Sequence, residues 1–316
     1  MNIKSFLKLV EIQTKVASVI PFSLATLYAY YQFNTFSLTN ALLMFSSMFI
    51  FDMTVTAINN YMDYQTAIKK QGYGYETHNA VVAYNLNPKT VRITIYTMLS
   101  LATLLGLLLV LNTNIVVLLL GGICFLIGIC YSWGPLPISR TPFGELFSGA
   151  TMGFLLPLIA IYIHIFNHDV ITLTLSQTNL TFSLNLNVIL SIFMITIPLM
   201  SCIANIMLAN NLCDYDDDLA NKRLTLPIAI GKQKALYVFN ALYGFSYFAI
   251  LVCILLDLLP LTSALTFLTL IPVIKHIRLF NTKQSKQFTF VLSVKNFIIL
   301  NAVYVLTILL SLILTW

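Results

Sequence analysis

The sequence predicts an all-α, polytopic membrane protein of nine transmembrane helices, and three observations carry that expectation. The 316-residue chain is 59% hydrophobic, 13% aromatic and only 9% charged, with a mean hydropathy of +0.87, a balance that soluble domains do not reach. Its apolar residues gather into nine runs, each close to the ~20 residues a helix needs to cross a ~30 Å hydrocarbon core while satisfying its own backbone. Lysine and arginine occur on alternate connections only.

The first 15 residues place Ile3, Phe6, Leu7 and Val10 at helical spacing with Lys4, Lys8 and Lys15 among them. Residues 1–15 therefore read as an interfacial amphipathic segment leading into the first span. No compact apolar core followed by a small-residue cleavage site is seen, so no removable signal peptide is expected. The spans follow at 16–33, 38–58, 93–111, 115–133, 146–166, 188–209, 235–256, 258–274 and 297–316, forming one domain over 1–316. After the first three lysines, Lys69, Lys70, Lys89 and Arg92 lie between spans two and three, and Arg140 between four and five. Lys222, Arg223, Lys232 and Lys234 lie between six and seven, and Lys275, Arg278, Lys283, Lys286 and Lys295 between eight and nine. The connections around Asn34, Asn112, 167–187 and Asp257 contain none. By the positive-inside rule the N-terminus is cytoplasmic and the C-terminus outside. Orientation in the lipid bilayer thus accounts for the net charge of +6, and no nucleic-acid partner is implied. The five cysteines (124, 130, 202, 213, 253) show no C-x-x-C spacing and read as packing residues.

One stretch departs from this apolar background. Asn210-Asn211-Leu212-Cys213-Asp214-Tyr215-Asp216-Asp217-Asp218 holds four of the eleven acidic residues and follows directly on the run ending at Ala209. On a continuing helix Asn210, Asp214 and Asp218 share one face, with neighbours ~6 Å apart. Stacked carboxylates repel, and a cation between them is the natural reason to keep them. Acidic runs are also the usual composition of solvated loop ends. A second copy changes the weighing: Asn59-Asn60-Tyr61-Met62-Asp63-Tyr64 repeats Asn-Asn-x-x-Asp-Tyr at the end of another apolar run. Under the predicted topology both segments close even-numbered spans on the cytoplasmic side, where they face one cavity.

Two facing carboxylate clusters with nearby cations suit a diphosphate and Mg²⁺, an ion usually held by one or two carboxylates plus phosphate oxygens. Asn59 and Asp63 form one candidate metal pair, and Asn210, Asp214 and Asp218 a second set. Lys222, Arg223 and Arg140 are candidates for the remaining phosphate oxygens. A diphosphate at a membrane interface points to an isoprenoid donor, whose ionisation needs electrostatic and metal-ion help but no protein nucleophile. Tyr61, Tyr64, Tyr131 and Tyr215 offer ring faces to a carbocation, although interfacial tyrosines are ordinarily belt residues.

These residues resemble a known family. The chain is similar, over essentially its whole length, to UbiA-type intramembrane aromatic prenyltransferases, whose plan is nine helices with Asp-rich segments after helices two and six. Tyr131-Ser132-Trp133-Gly134-Pro135-Leu136-Pro137 followed by Gly144-Glu145 resembles the segment after helix four of the members acting on 1,4-dihydroxy-2-naphthoate. Asp214 to Asp218 followed by Arg223, Thr225-Leu226 and Gly231 resembles their second Asp-rich segment. The resemblance implies an Mg²⁺-dependent bacterial cell-membrane enzyme that joins a polyprenyl diphosphate to 1,4-dihydroxy-2-naphthoate with loss of carboxyl, giving demethylmenaquinone at a cytoplasm-facing site. It implies that Asp63, Asp214 and Asp218 are catalytic, that these with Asn59 and Asn210 hold metal and diphosphate, and that Arg140 and Arg223 contact phosphate or acceptor. The full substrate-binding set adds Asn60, Asn211, Lys222, Tyr131 and Asp52. The chain departs from the family pattern at Ala67, Lys69 and Cys213, where Asp, Asp and Arg are common. Glu76, in the loop Gln71 to His78, is a candidate replacement carboxylate beside the plainer reading of a solvated loop glutamate.

Asp52 is the one acidic residue inside a span and shares a helical face with Asn59 and Asp63, which makes it either an acceptor contact or an interhelical structural aspartate. His164 reads as a packing histidine, His78 and His276 carry no assignment, and Pro157 and Pro198 read as kinks. Two alternatives remain: another aromatic acceptor such as 4-hydroxybenzoate (or a haem-directed farnesyl transfer), and a transporter or a non-catalytic quinone-binding protein. A transporter places its polar groups near the midplane. Here, Asp52 aside, the acids collect at one face.

Overall fold

The structure is a computed structural model that describes residues 1–66, 79–175 and 178–314; Ala67, Lys69, Lys70, Glu76 and His78 lie outside the described residues. Helix α1 (Ile3–Leu9) opens on a reciprocal cap, in which Asn2 Oδ1 accepts from Ser5 N at 2.8 Å and Ser5 Oγ from Asn2 N at 3.1 Å. The interfacial segment is anchored more firmly than an amphipathic surface helix requires. Leu9 is fully buried against Ala57, Ile58 and Tyr61, and Lys15, read as an interfacial cation, is buried as well.

Helices α2 (Val16–Phe33), α3 (Leu38–Thr66), α4 (Ala80–Ala83), α5 (Pro88–Asn112), α6 (Ile115–Ser132) and α7 (Gly144–Ile165) follow. After a two-stranded antiparallel hairpin (β1, Ile171–Leu175; β2, Leu180–Leu184) come α8 (Leu186–Cys213), α9 (Tyr215–Ala220), α10 (Leu226–Ile230), α11 (Lys232–Leu255), α12 (Leu261–Thr282) and α13 (Phe290–Leu314). Every predicted span is a helix. Eight of these helices are long and apolar enough to cross a membrane. The ninth, α2, has 18 residues but is diluted by Ser18, Pro21, Ser23, three tyrosines and Gln32. The hairpin was not anticipated; its Ile-Thr-Leu-Thr-Leu and Leu-Thr-Phe-Ser-Leu runs carry the two-residue alternation of strands. Tyr162 Oη donates to Ile171 O at 2.9 Å and accepts from Asn114 Nδ2 at 2.8 Å, tying the hairpin to α6 and α7. Pro198 sits inside an unbroken α8, whereas Pro157 follows a π-helical turn at Thr151–Leu155.

The main core lies between α2, α7, α8, α11 and α13, with Tyr28, Tyr162, Tyr243 and Tyr304 wholly enclosed. Where α7 crosses α8 the backbones touch: a Cβ on Gly149 would fall 2.7 Å from Met200 O, and one on Gly153 would fall 2.4 Å from Met200 Cα. Only glycine allows this approach, as in small-residue crossings of membrane helices. Helices α3 and α8 are the two longest in the molecule. At ~1.5 Å per residue, the 29 residues of α3 and 28 of α8 extend about 43 Å and about 42 Å, well beyond a ~30 Å hydrocarbon layer. Their C-terminal turns carry the two Asn-Asn-x-x-Asp-Tyr segments, and each helix has length to spare beyond a single crossing.

Gly153→Ala is expected to force α7 off α8 and cost about 1–3 kcal/mol. A lowered thermal midpoint of the purified protein in detergent checks this, and an unchanged midpoint would show that the crossing tolerates a methyl group.

Candidate active site

The acid-tipped ends of α3 and α8 meet at one guanidinium. Arg223 Nη2 lies 3.3 Å from Asp63 Oδ1, and its Nη1 lies 3.6 Å from Asp218 Oδ1. Arg140 stands 4.0 Å from Asp63 Oδ1 and donates to Thr66 Oγ1 at 2.6 Å. Lys286 Nζ lies 2.5 Å from Asp214 Oδ2 and also donates to Asn210 Oδ1. Asn59 Oδ1 accepts from Ser132 Oγ at 3.1 Å, joining the first segment to the end of α6.

Local chain chemistry produces this arrangement. The second segment is not one continuing helix as expected. Asp214 (φ −96°, ψ 14°) ends α8, and α9 restarts with Asp216, Asp217 and Asp218 in its first turn. Four carboxylates at a helix C-terminus oppose the macrodipole; in the first turn of a new helix three of them are stabilised by it. The spacing survives, because Asp214 N donates to Asn210 O at 3.0 Å and Asp218 N to Asp214 O at 2.8 Å. Lys222 then takes a left-handed conformation (φ 55°), and the turn brings Arg223 N to within 2.9 Å of Asp218 O, which returns the arginine over the acids. Asp218 is only 4% exposed, and Thr225 Oγ1 donates to its Oδ2 at 3.4 Å. Burial raises its carboxyl from 3.8 to about 6; Asp214 adds to the rise, and Arg223 opposes it.

Among the described residues no three His, Cys, Asp or Glu side chains lie close enough to cage a metal ion unaided. The donors present are the all-oxygen pairs Asn59–Asp63 and Asn210–Asp214, with Asp218 one turn further on. Such sets fit a hard cation that completes its shell with water and phosphate oxygens. The Lys286 ammonium, gripped jointly by Asn210 and Asp214, shows that this pair accepts a cation.

Several sequence candidates lie elsewhere. Asn60 is buried, donating to Leu9 O, Glu11 Oε1 and Thr56 O at 3.2–3.3 Å and accepting from Ala80 N at 3.1 Å. Asn211 is also buried and donates to Glu145 Oε1 at 2.8 Å. Both are corrected from substrate contacts to ties between elements, since the helical rotation that points Asn59 and Asn210 at the cleft turns the next residue away from it. Lys222 is exposed and forms no ion pair with any described residue; Lys286, not singled out by the sequence, pairs with Asp214 instead. Nothing in the spacing separates Lys286 from the other four cations of its connection. Tyr61 packs with Leu9 and accepts from Gln65, and Lys232 stands 5.9 Å over the ring of Tyr215. Asp52 pairs with Lys15 at 2.7 Å and accepts from Ser18 Oγ at 2.7 Å, a complete bridge from α2 to α3. His164 Nδ1 accepts from Ser37 N at 3.1 Å, which fits its packing role.

Beneath the cluster lies a cavity of about 410 Å³ between α3, α5, α6 and α7. Asn59, Tyr131 and Ser132 line its polar end, Asp52 and Thr56 one wall, and most of the remainder is apolar. Phe51 and Phe125 stack there with centroids 3.8 Å apart, and Gly128 lets α6 close on Phe51, since a Cβ would come 2.7 Å from that ring. Charge at one end and an oily chamber behind it is the layout an amphiphile requires.

This is the architecture of an intramembrane prenyltransferase, and the chain belongs to the UbiA prenyltransferase family, whose profile matches residues 18–301. A curated relative, the 1,4-dihydroxy-2-naphthoate octaprenyltransferase of Bacillus subtilis (strain 168), is 30% identical over 237 residues, covering 74% of this chain and 68% of the relative. Among solved structures, the apo UbiA homologue from Aeropyrum pernix K1 superposes with a TM-score of 0.67 at 17% identity, over 91% of this chain and 97% of that one. The UbiA homologue from Archaeoglobus fulgidus bound to GPP and Mg²⁺ gives 0.65 at 13% identity, over 96% and 98%. At these identities the structures establish the fold.

Neighbouring asparagines should separate in their effects. Asn60→Ala strands the Ala80 amide and is expected to cost about 1–3 kcal/mol of stability. Asn59→Ala should leave the unfolding midpoint nearly unchanged while reducing prenyl transfer. Thermal unfolding and turnover measured on both variants check the split; equal destabilisation would oppose it.

Proposed function

We propose that this protein transfers a polyprenyl chain from an allylic polyprenyl diphosphate to 1,4-dihydroxy-2-naphthoate, with loss of the acceptor's carboxyl group, giving demethylmenaquinone. The observation that carries this reading is Arg223 held between Asp63 and Asp218, which brings both acidic segments within reach of one head group at the mouth of an apolar chamber. The acceptor is supported by the Bacillus relative.

In this reading Asn59 with Asp63, and Asn210 with Asp214 and Asp218, hold Mg²⁺. When bound, the ions neutralise charge that builds on the departing diphosphate. Arg140, Arg223 and Lys286 bind phosphate oxygens, the arginines with their planar forks. The chamber takes the polyprenyl tail and excludes water, which protects the allylic cation from hydrolysis. Tyr131, Phe51 and Phe125 present ring faces along the path from head group to tail. Asp52 and Thr56 give the wall a polar patch beside that path. The cluster faces the cytoplasm of a bacterial cell whose membrane the chain crosses nine times, counting α2. The one-sided lysine and arginine distribution supports that orientation.

Incubating the purified protein with polyprenyl diphosphate, 1,4-dihydroxy-2-naphthoate and Mg²⁺ is expected to give a prenylated, decarboxylated naphthoquinol identifiable by mass. Asp214→Ala should lower that turnover by about a hundredfold or more while the protein still inserts and unfolds normally. Product formed only from 4-hydroxybenzoate would overturn the acceptor, and turnover retained in Asp214→Ala would overturn the ligand role.

The raised Asp218 carboxyl sets a pH dependence. Because burial disfavours its charged form, the metal-free protein loses stability as pH rises from about 4 through about 6. A divalent cation binds the charged form and offsets that loss. The rise in unfolding midpoint on adding Mg²⁺ is therefore expected to be larger at pH 7.5 than at pH 5; a rise independent of pH would separate Asp218 from the metal.

A further inference from the structure

Lys286 occupies an unusual place. Its segment, between α12 and α13, is tied down by side chains: Ser285 N donates to Thr289 Oγ1 at 2.8 Å, Thr289 Oγ1 to Lys283 O at 2.9 Å, and Gln284 Nε2 to Phe280 O at 2.7 Å. From this fixed base the ammonium lies 5.4 Å over the Phe290 ring and reaches Asn210 Oδ1 and Asp214 Oδ2 together. Those two oxygens, one helical turn apart, are the pair assigned above to a metal ion. A lysine ammonium and a divalent cation cannot occupy one oxygen pair at the same time.

The charges at the cleft explain why a cation stands there. Among the described residues, Asp63, Asp214 and Asp218 form ion pairs with Arg140, Arg223 and Lys286. Among the described residues Lys286 is the cation paired with Asp214, which otherwise stands beside the buried Asp218. The side chain of Lys286 is 35% exposed and its four-carbon stem is flexible, so the ammonium can leave while the backbone stays in place.

We infer that Lys286 is a built-in counter-ion, holding the Asn210–Asp214 pair while the site is empty and passing to the diphosphate oxygens when substrate brings its cation. This rests on the metal assignment of the proposed function. Two effects of opposite sign follow. Metal alone must displace Lys286 and binds weakly. Metal and diphosphate together bind cooperatively, because the displaced ammonium gains an anionic partner, and by linkage each raises the other's affinity by the same factor.

The test is titration of the full-length protein in detergent with Mn²⁺, read by electron paramagnetic resonance, with and without inorganic pyrophosphate. In Lys286→Met, Mn²⁺ alone should bind at least about fivefold more tightly than in wild type, and the gain from adding pyrophosphate should shrink. Lys286→Arg should behave as wild type. Lys286→Gln, which keeps hydrogen bonding without charge, should match the methionine variant and replaces it if that variant does not fold. Unchanged or weaker Mn²⁺ binding in the uncharged variants, or undiminished coupling to pyrophosphate, would overturn the inference. Wild-type protein that binds no Mn²⁺ even with pyrophosphate would instead overturn the metal assignment itself.

Discussion

The contact on which the site depends is the guanidinium of Arg223 between Asp63 and Asp218. It spans 160 positions of sequence, from the end of α3 to the turn after α9. Arg223 and Asp63 are each about one-third exposed, and such pairs contribute on the order of 0–1 kcal/mol. Its value lies in geometry, and much of the surrounding architecture can be traced to it. The helices α3 and α8, the two longest in the molecule, end in the two acidic turns. The break at Asp214 and the left-handed turn at Lys222 then fold Arg223 back over them.

The two Asn-Asn-x-x-Asp-Tyr copies share a division of labour. In each, the first asparagine faces the cleft, Asn59 toward Ser132 and Asn210 toward Lys286. The second is buried and fastens the helix to a neighbour: Asn60 to the N-terminal segment and Ala80, Asn211 to Glu145 on α7. One residue of rotation separates a side chain that faces the cleft from one that fastens the helix to its neighbour.

This division explains what could be read in advance. Span positions follow from hydropathy, a property of each segment alone, and each appears as a helix, although α3 and α12 run about two turns beyond the expected C-terminal limit and α13 begins about two turns early. The pairing of the two acidic tips followed from charge alternation and the repeated motif. The direction of Asn60 and Asn211 did not, because adjacent identical side chains on a helix are separated only by what packs around them. Lys286 was hidden among five cations on one connection. Asp52 and Lys15 show the same limit from the other side. Each was visible as an oddity, a carboxylate in a span and a lysine in an amphipathic segment, but their partnership is a tertiary fact. The hairpin between α7 and α8 gives little signal in the sequence, because each strand's alternating pattern is only five residues long and lies in a connection.

The length of α3 and α8 also sets how far the cluster stands from the opposite ends of these helices. Because Asp63 lies in the last turn of α3 and Asp214 caps α8, the distance of each from the far end of its helix is a fixed molecular dimension. Acyl chains of different length would then raise or lower the headgroup plane against that fixed mark. Lipid composition itself becomes a lever on how easily an amphiphile's head finds the mouth of the chamber.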